Sequence, residues 1–254
     1  MNLRSAPQLE AILANLPKSA GKKPLAFVLS GHNGSGKSTL WKERLAPVLE
    51  RPLINADRLI SSILPEASPD GHMVPWAAAL RDNDARWQRL AQDGVQTFLG
   101  LIVDQKMSFG FETVFSHWVE HPNGTIESKV DVIKNLQNAG YYVVLIFVGL
   151  HNVALSIARV STRKAQGGHT VDEQKLRDRF PRTQKAVGHA VTVADIAIMF
   201  DNSFGPERAF SLVRVQHGMK AKFDCRDPSI KCPVKLASVA DHWLSKVCGP
   251  FEAI

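Results

Sequence analysis

Five short, mostly apolar runs punctuate the chain, at residues 25–29, 52–57, 108–115, 142–148 and 196–200, and the segments between them place apolar residues three and four apart. Continuous runs of this length predict strands buried on both faces, and the intervening spacing predicts helices. After the first run, Leu40, Leu45, Val48 and Leu49 share one helical side, with Pro47 expected to kink or end the helix. Trp87, Leu90, Ala91, Val95, Phe98 and Ile102 predict a longer helix facing the core, and Ile126, Val130, Ile133 and Leu136 another that Gly140 ends. A helix over about 152–164 follows the fourth run; Gly167 and Gly168 break it, and Thr170-Val171-Asp172-Glu173 reads as a capping box opening the next. Residues 62–75, rich in Pro and Ser, read as an exposed connection or part of a substrate cap. This alternation predicts an α/β fold, a doubly wound parallel sheet of about five strands with helices on both faces. Beyond Gly205 the pattern changes, to a strand over 209–215 and a terminal helix over 236–247.

Composition narrows the class without naming a chemistry. With 44% hydrophobic and 22% charged residues, the chain of 254 has the balance of a globular protein able to bury a sizeable core. Its longest apolar run, 141–148, is too short to span a membrane. The N-terminal stretch, broken by Gln8, Glu10 and Asn15, reads as a leading helix and not as a secretory signal, so a cytoplasmic protein is expected. Three cysteines match no common zinc spacing, and nine histidines form no HExxH array. The formal charge of +7 fits a site for anionic nucleotides better than a nucleic-acid surface, because no run of five basic residues and no aromatic-rich repeat occurs.

The first strand runs into Ser30-Gly31-His32-Asn33-Gly34-Ser35-Gly36-Lys37-Ser38-Thr39, which fits GxxxxGK[ST] without a mismatch. Glycines there let successive N–H groups surround phosphate oxygens, Lys37 neutralises the β and γ phosphates, and the Ser38 hydroxyl suits Mg²⁺. ATP or GTP with Mg²⁺ is therefore expected at residues 31–39. Asp57, about twenty residues on, is expected at the end of the second strand, either as the base that takes a proton from an incoming hydroxyl or as the cap of the helix holding Leu59 and Ile63. Glu112 and Thr113 point to opposite sides of an extended strand; Glu112 either holds Mg²⁺ through water or orients the acceptor, or is a structural surface residue. Arg159, Arg163 and Lys164, then Lys175, Arg177, Arg179 and Arg182, flank the glycine break, which fits a movable lid over the phosphates, with a solvated helix laced with ion pairs as the alternative. Gly149-Leu150-His151 after the fourth strand replaces the acidic pair of many ATPase motors.

In their shared order GHNGSGKST, INADRL, SFGFETVFSH, IARVSTRKAQGGHTVDEQKLRDRF and ADIAIMFDNS resemble the zeta-toxin-like family of bacterial P-loop kinases over roughly residues 25–203. The resemblance implies a P-loop kinase domain at 25–203 with its lid at about 159–182, a leader helix at 1–24 and an extension at 204–254. It implies that Asp57 is the catalytic base, that Lys37 and Ser38 hold phosphate and metal, that Glu112 is the strand-end acid, and that Arg159 is the first lid arginine. Arg163, Arg177 and Arg179 compete for the second, since GGH stands where some members have a longer Arg-containing loop. The implied acceptor is a small molecule, a UDP-sugar such as UDP-N-acetylglucosamine, and a toxin role implies an antitoxin partner. A polynucleotide or other metabolite kinase and a nucleotide-dependent switch are the alternatives.

Overall fold

The structure, a computed structural model, describes residues 4–5, 7–66, 68, 73–113, 115–165 and 171–251. The apolar runs form strands β1 (Leu25–Gly31), β2 (Leu53–Ile54), β3 (Phe109–Glu112), β4 (Tyr142–Gly149) and β5 (Ile196–Asp201), followed by β6 (Ser211–His217) and β7 (Lys220–Asp224). They make one seven-stranded sheet in the order β7-β6-β5-β4-β1-β3-β2. The five strands expected to be parallel are parallel, and β6 and β7 extend the sheet antiparallel at one edge. β6 lies two residues later than the periodicity suggested, because Pro206–Arg208 forms a short 3₁₀ turn first.

Every residue of β4 is buried, which requires cover on both faces of the sheet. The helices of the chain are α1 (Leu9–Ala20), α2 (37–49), α3 (Ala56–Ile63), α4 (Pro75–Asn83), α5 (Ala85–Asp104), α6 (Val130–Asn138), α7 (Val153–Ala165), α8 (Glu173–Val193) and α9 (Val234–Cys248), most of which pack on the sheet. Pro47 does not stop α2 at once, since the helix runs on to Leu49. The helix widens to a π turn at Trp41–Leu45, where the Ala46 N–H donates to Trp41 O, one residue further back than α-helical pairing. That extra residue makes room for a ring that lacks an N–H and would crowd the carbonyl four residues before it.

Two helical expectations need correction. Ile126 lies in a small antiparallel hairpin, Trp118–Glu120 with Ile126–Ser128, and α6 starts only at Val130, whose N–H is held by the Ser128 hydroxyl. Leu90 and Phe98 are exposed, because α5 is covered along a strip centred on Ala91 and Val95. Val114, the 67 and 69–72 portion of the irregular connection, the Gly167-Gly168 break and Thr170 lie outside the described residues. Asp172 caps α8, accepting from the Lys175 N–H at 3.1 Å.

Two cores share this framework. The large one joins the sheet to α1, α2, α6, α8 and α9; the small one, Ile60, Leu64, Ala77 and Ala91 with Trp87 against it, binds α3, α4 and α5 to one another. α9 closes on the strand ends through Trp243, whose indole lies 2.3 Å from where a Cβ on Gly149 would sit, so only glycine fits there. Its N–H donates to the buried Asp201 at 2.8 Å. Among the described residues, no helix is long and apolar enough to cross a membrane.

Candidate active site at the phosphate loop

The loop between β1 and α2 is held from three directions. The Ser156 hydroxyl of α7 donates to Asn33 O at 2.7 Å, the Asn202 amide beyond β5 donates to Ser35 O at 2.9 Å, and the Leu150 N–H beyond β4 donates to His32 Nδ1 at 3.2 Å. Gly36 sits at φ +87, where a Cβ would fall 2.9 Å from the Asn202 amide, and a Cβ on Gly31 would fall 2.6 Å from Val148 O. Side chains are thus excluded from the inner wall by backbone angle and by space. Lys37 Nζ, buried, donates to Gly31 O at 3.3 Å and His32 O at 3.1 Å. Burial lowers its pKa, Glu112 opposes this, Arg163 adds to it and Asp57 opposes it. A phosphate anion beside it would reverse the balance, since an opposite charge favours the ammonium.

Ser35 Oγ and His32 Nε2 are buried without a partner among the described residues. Orphaned polar atoms inside a glycine cradle fit a site built around an anionic ligand. His32 is held neutral: burial first, then Lys37, pushes its pKa down to about 3. With Nδ1 accepting from Leu150, the proton sits on Nε2. The ring stacks on Phe180 of α8, centroids 3.8 Å apart and planes 11° from parallel.

A short chain of hydrogen bonds connects the loop to the neighbouring strand ends. The Ser38 hydroxyl lies 2.9 and 3.0 Å from the two oxygens of Glu112 at the end of β3. Asn55 Nδ2 donates to Glu112 Oε2 at 2.7 Å, while Asn55 Oδ1 accepts from the N–H groups of Asp57 and Arg58 at 2.8 and 3.3 Å. Asn55, not Asp57, therefore caps α3, and Asp57 lies in the first helical turn and not on the strand, because β2 ends at Ile54. An Asn side chain satisfies the orphan donors of a helix start as well as Asp does, which leaves the Asp57 carboxylate available to the crevice. Asp57 is within electrostatic reach of Lys37 and of Arg81 on α4, which holds Asp82 at 2.7 and 3.0 Å. Thr113 contributes its backbone, its N–H continuing the pairing with β1 by donating to Leu29 O at 3.1 Å.

Of the arginines, Arg159 packs along the loop: its Cβ would lie 3.1 Å from a Cβ on Gly34, and its guanidinium donates to Phe204 O at 3.3 Å. Partial burial lowers its pKa against the pull of Asp201. Arg163, one turn further along α7, reaches Lys37 electrostatically. Arg177 is exposed and paired with Glu173 at 2.6 Å, and Arg179 is half-buried on α8. The structure thus gathers Lys37, Ser38, Asn55, Asp57, Glu112, Arg159 and Arg163 at the loop, and leaves Arg177 on a solvated face. Sequence reasoning passed over Asn55, Ser156, Asn202 and Phe180. The asparagines lie inside INADRL and FDNS, where a polar residue directly after a buried strand is the available signal; nothing in the sequence pairs Phe180 with His32.

Known proteins share this arrangement at the level of fold. A chain of the PezAT chromosomal toxin-antitoxin system of Streptococcus pneumoniae superposes with a TM-score of 0.52 at 15% identity, covering 83% of this chain and 81% of that one. The AvrRxo1-ORF1:AvrRxo1-ORF2 structure with sulphate ions gives 0.57 at 15% identity, covering 94% and 84%, and the AvrRxo1-ORF1:-ORF2 structure with ATP gives 0.54 at 15%, covering 84% and 68%. In sequence, an uncharacterised protein of Haemophilus influenzae is 26% identical over 155 residues, 61% of this chain and 91% of that protein. The zeta toxin profile matches residues 10–203, a span that holds the phosphate loop, Asn55, Asp57, Glu112 and helices α7 and α8. The chain belongs to the zeta toxin family.

Proposed function

We propose that the protein is a nucleotide-dependent phosphotransferase that moves the γ-phosphoryl group of ATP or GTP to a hydroxyl of a small molecule, with UDP-N-acetylglucosamine or a similar UDP-sugar as acceptor. The observation that carries this reading is the continuous contact from Ser38 through Glu112 and Asn55 to the helix start bearing Asp57. It ties the hydroxyl suited to a metal to the carboxylate suited to a proton, so donor and acceptor chemistry share one rigid frame.

Mg²⁺, when bound through Ser38 and the nucleotide, supplies charge neutralisation across the β and γ phosphates. Glu112 accepts a hydrogen bond from the Ser38 hydroxyl, which leaves the hydroxyl oxygen free to face a metal. Lys37 leaves its two loop carbonyls for phosphate oxygens. Asp57 accepts the acceptor's hydroxyl proton while the acceptor oxygen bonds to phosphorus and the bond to the β-phosphate oxygen breaks, leaving ADP or GDP and a phosphomonoester. Arg159 and Arg163 spread charge on the transferring group, and Arg177 or Arg179 joins them when the lid, residues 159–182, closes. Residues 204–254 act as an extension of the same catalytic unit. An antitoxin is the partner expected of a toxin with this activity.

Incubation with Mg-ATP and UDP-N-acetylglucosamine tests the proposal. The acceptor should gain the mass of one phosphate, and nucleotide should be consumed in equal amount. Nucleotide turnover that no hydroxyl-bearing metabolite stimulates would refute it.

A further inference from the structure

The lid helix α8 sets its second half into the large core through Ala186, Val187, Ala190 and Val191, and it makes two aromatic contacts besides. At the first, Phe180 stacks on His32 inside the phosphate loop; the two residues are 8% and 1% exposed, so neither ring is free to turn away. His32 is itself fixed, by the Leu150 N–H on one nitrogen and by the edge of Phe147 at 5.5 Å. At the second, Lys185 pairs with Glu120 and lies 5.0 Å over the ring of Trp118, against which His189 packs edge-on at 5.2 Å. Trp118 and Glu120 belong to the hairpin that follows β3, the strand carrying Glu112. Lys185 and His189 lie about 7 and 13 Å beyond Phe180 along the helix. The first contact therefore bears on the nucleotide cradle and the second on the segment leaving the acidic strand end.

Before Phe180 the helix is mostly solvated, with Leu176 as its buried residue. Glu173, Gln174, Lys175, Arg177 and Asp178 are exposed. Arg177 lies three residues before Phe180, hence on the next turn of the same helical face. Its partner Glu173 forms an exposed pair within one helix, weak enough to yield to a phosphoryl oxygen. With the second half of the helix held in the core, the stack at Phe180 sets how its first turns lean over the loop.

We propose that Phe180 is a positioning residue, whose stack on His32 registers α8 against the phosphate loop and so brings the arginine-bearing first turns of the helix to the transferring phosphoryl group. This rests on the phosphotransferase reading. The stack acts on the transition state more than on nucleotide binding, because Lys37 and the loop amides hold the phosphates before the lid arginines are needed. The His32 ring stays neutral down to low pH, so the contact keeps its form through the physiological range.

Phe180→Leu, which keeps an apolar side chain but loses the flat ring, and Phe180→Tyr, which keeps the ring, separate this from simple packing. In the full chain, thermal melting first establishes that each variant is folded. Binding of a non-hydrolysable ATP analogue and the kinetics of transfer are then compared. Phe180→Leu is expected to bind the analogue within about threefold of wild type and to lose about tenfold or more in kcat, with Phe180→Tyr restoring most of the rate. A folded Phe180→Leu with wild-type kcat overturns the proposal, as does a Tyr variant no faster than the Leu variant or a loss confined to analogue affinity. Should the wild-type protein phosphorylate no acceptor, the phosphotransferase reading fails on its own. The same variants, compared by their Mg-ATP hydrolysis, then judge the stack.

Discussion

Removing the Asn55 side chain should damage the molecule twice, and the two losses can be measured apart. Asn55→Ala takes away the cap of α3 and the 2.7 Å donation to Glu112. Loss of an N-cap costs about 1 kcal/mol, and loss of a hydrogen bond to a charged group about 1.5–3 kcal/mol in a buried setting. Asn55 and Glu112 are only half-buried, so the second figure is taken at its lower end. The expected total is about 2–3 kcal/mol. Asn55→Ser restores a capping oxygen without an amide that reaches Glu112, and should recover about 1 kcal/mol of that loss. Urea unfolding of the three proteins at pH 7.5 gives the differences directly, provided the slopes match. Because the cap fixes the turn bearing Asp57, transfer activity should fall in Asn55→Ala by more than its stability loss accounts for under conditions where the chain remains folded. If Asn55→Ala unfolds within about 0.5 kcal/mol of wild type, the bridge between α3 and β3 carries no weight. If Ser proves as harmful as Ala, the cap is not what Asn55 contributes.

Acid sensitivity should trace in part to His32. Its folded pKa, about 3, lies below its ordinary 6.5, so between these values the unfolded chain binds a proton that the folded chain refuses. Stability from this group is therefore complete above pH 6.5 and falls as the pH drops towards 3, by at most about 1.4 kcal/mol per pH unit. Urea unfolding between pH 7.5 and 5 should show a shallower pH dependence in His32→Phe than in wild type; equal slopes contradict the assignment. At the end of β4, Gly149→Ala should destabilise by about 1–3 kcal/mol, because its Cβ would lie 2.3 Å from the Trp243 indole. Trp243→Phe should cost about 1–3 kcal/mol through the lost donation to buried Asp201, yet combined with Gly149→Ala the losses should sum to less than their separate values, since the smaller ring relieves the clash. Strict additivity in urea melts would show that the glycine is not there for the tryptophan.

Most of the central sheet was legible because its strands are buried on both faces, and burial on both faces writes a continuous apolar run. The phosphate loop was legible for a different reason: a backbone cradle tolerates few side chains, so its glycines stand at fixed spacing. Elements away from the centre were read less well. Ile126 falls at helical spacing from Val130 and Ile133 by coincidence, and nothing local distinguishes that from a strand of three residues. The π turn at Trp41–Leu45 follows from Pro47, but the choice between kink, stop and widened turn depends on what packs around the helix. In the site, the spacing of Asp57 from Lys37 pointed to the right neighbourhood while missing the element. A strand of two residues is too short to leave its own signature, and Asn55, which ends it, caps the helix that carries Asp57. Contacts between distant side chains, such as Phe180 on His32 or Asn202 on Ser35, are set by packing and leave no period in the sequence.

Phosphoryl transfer by this chain requires Asp57 to act as the proton acceptor for a hydroxyl attacking the terminal phosphate. The direct measurement is the single-turnover rate of phosphoryl transfer from Mg-ATP by Asp57→Asn, beside its affinity for a non-hydrolysable ATP analogue. The expected result is a rate reduced by about a hundredfold or more with analogue affinity little changed. An Asn variant that transfers phosphate at the wild-type rate would contradict it.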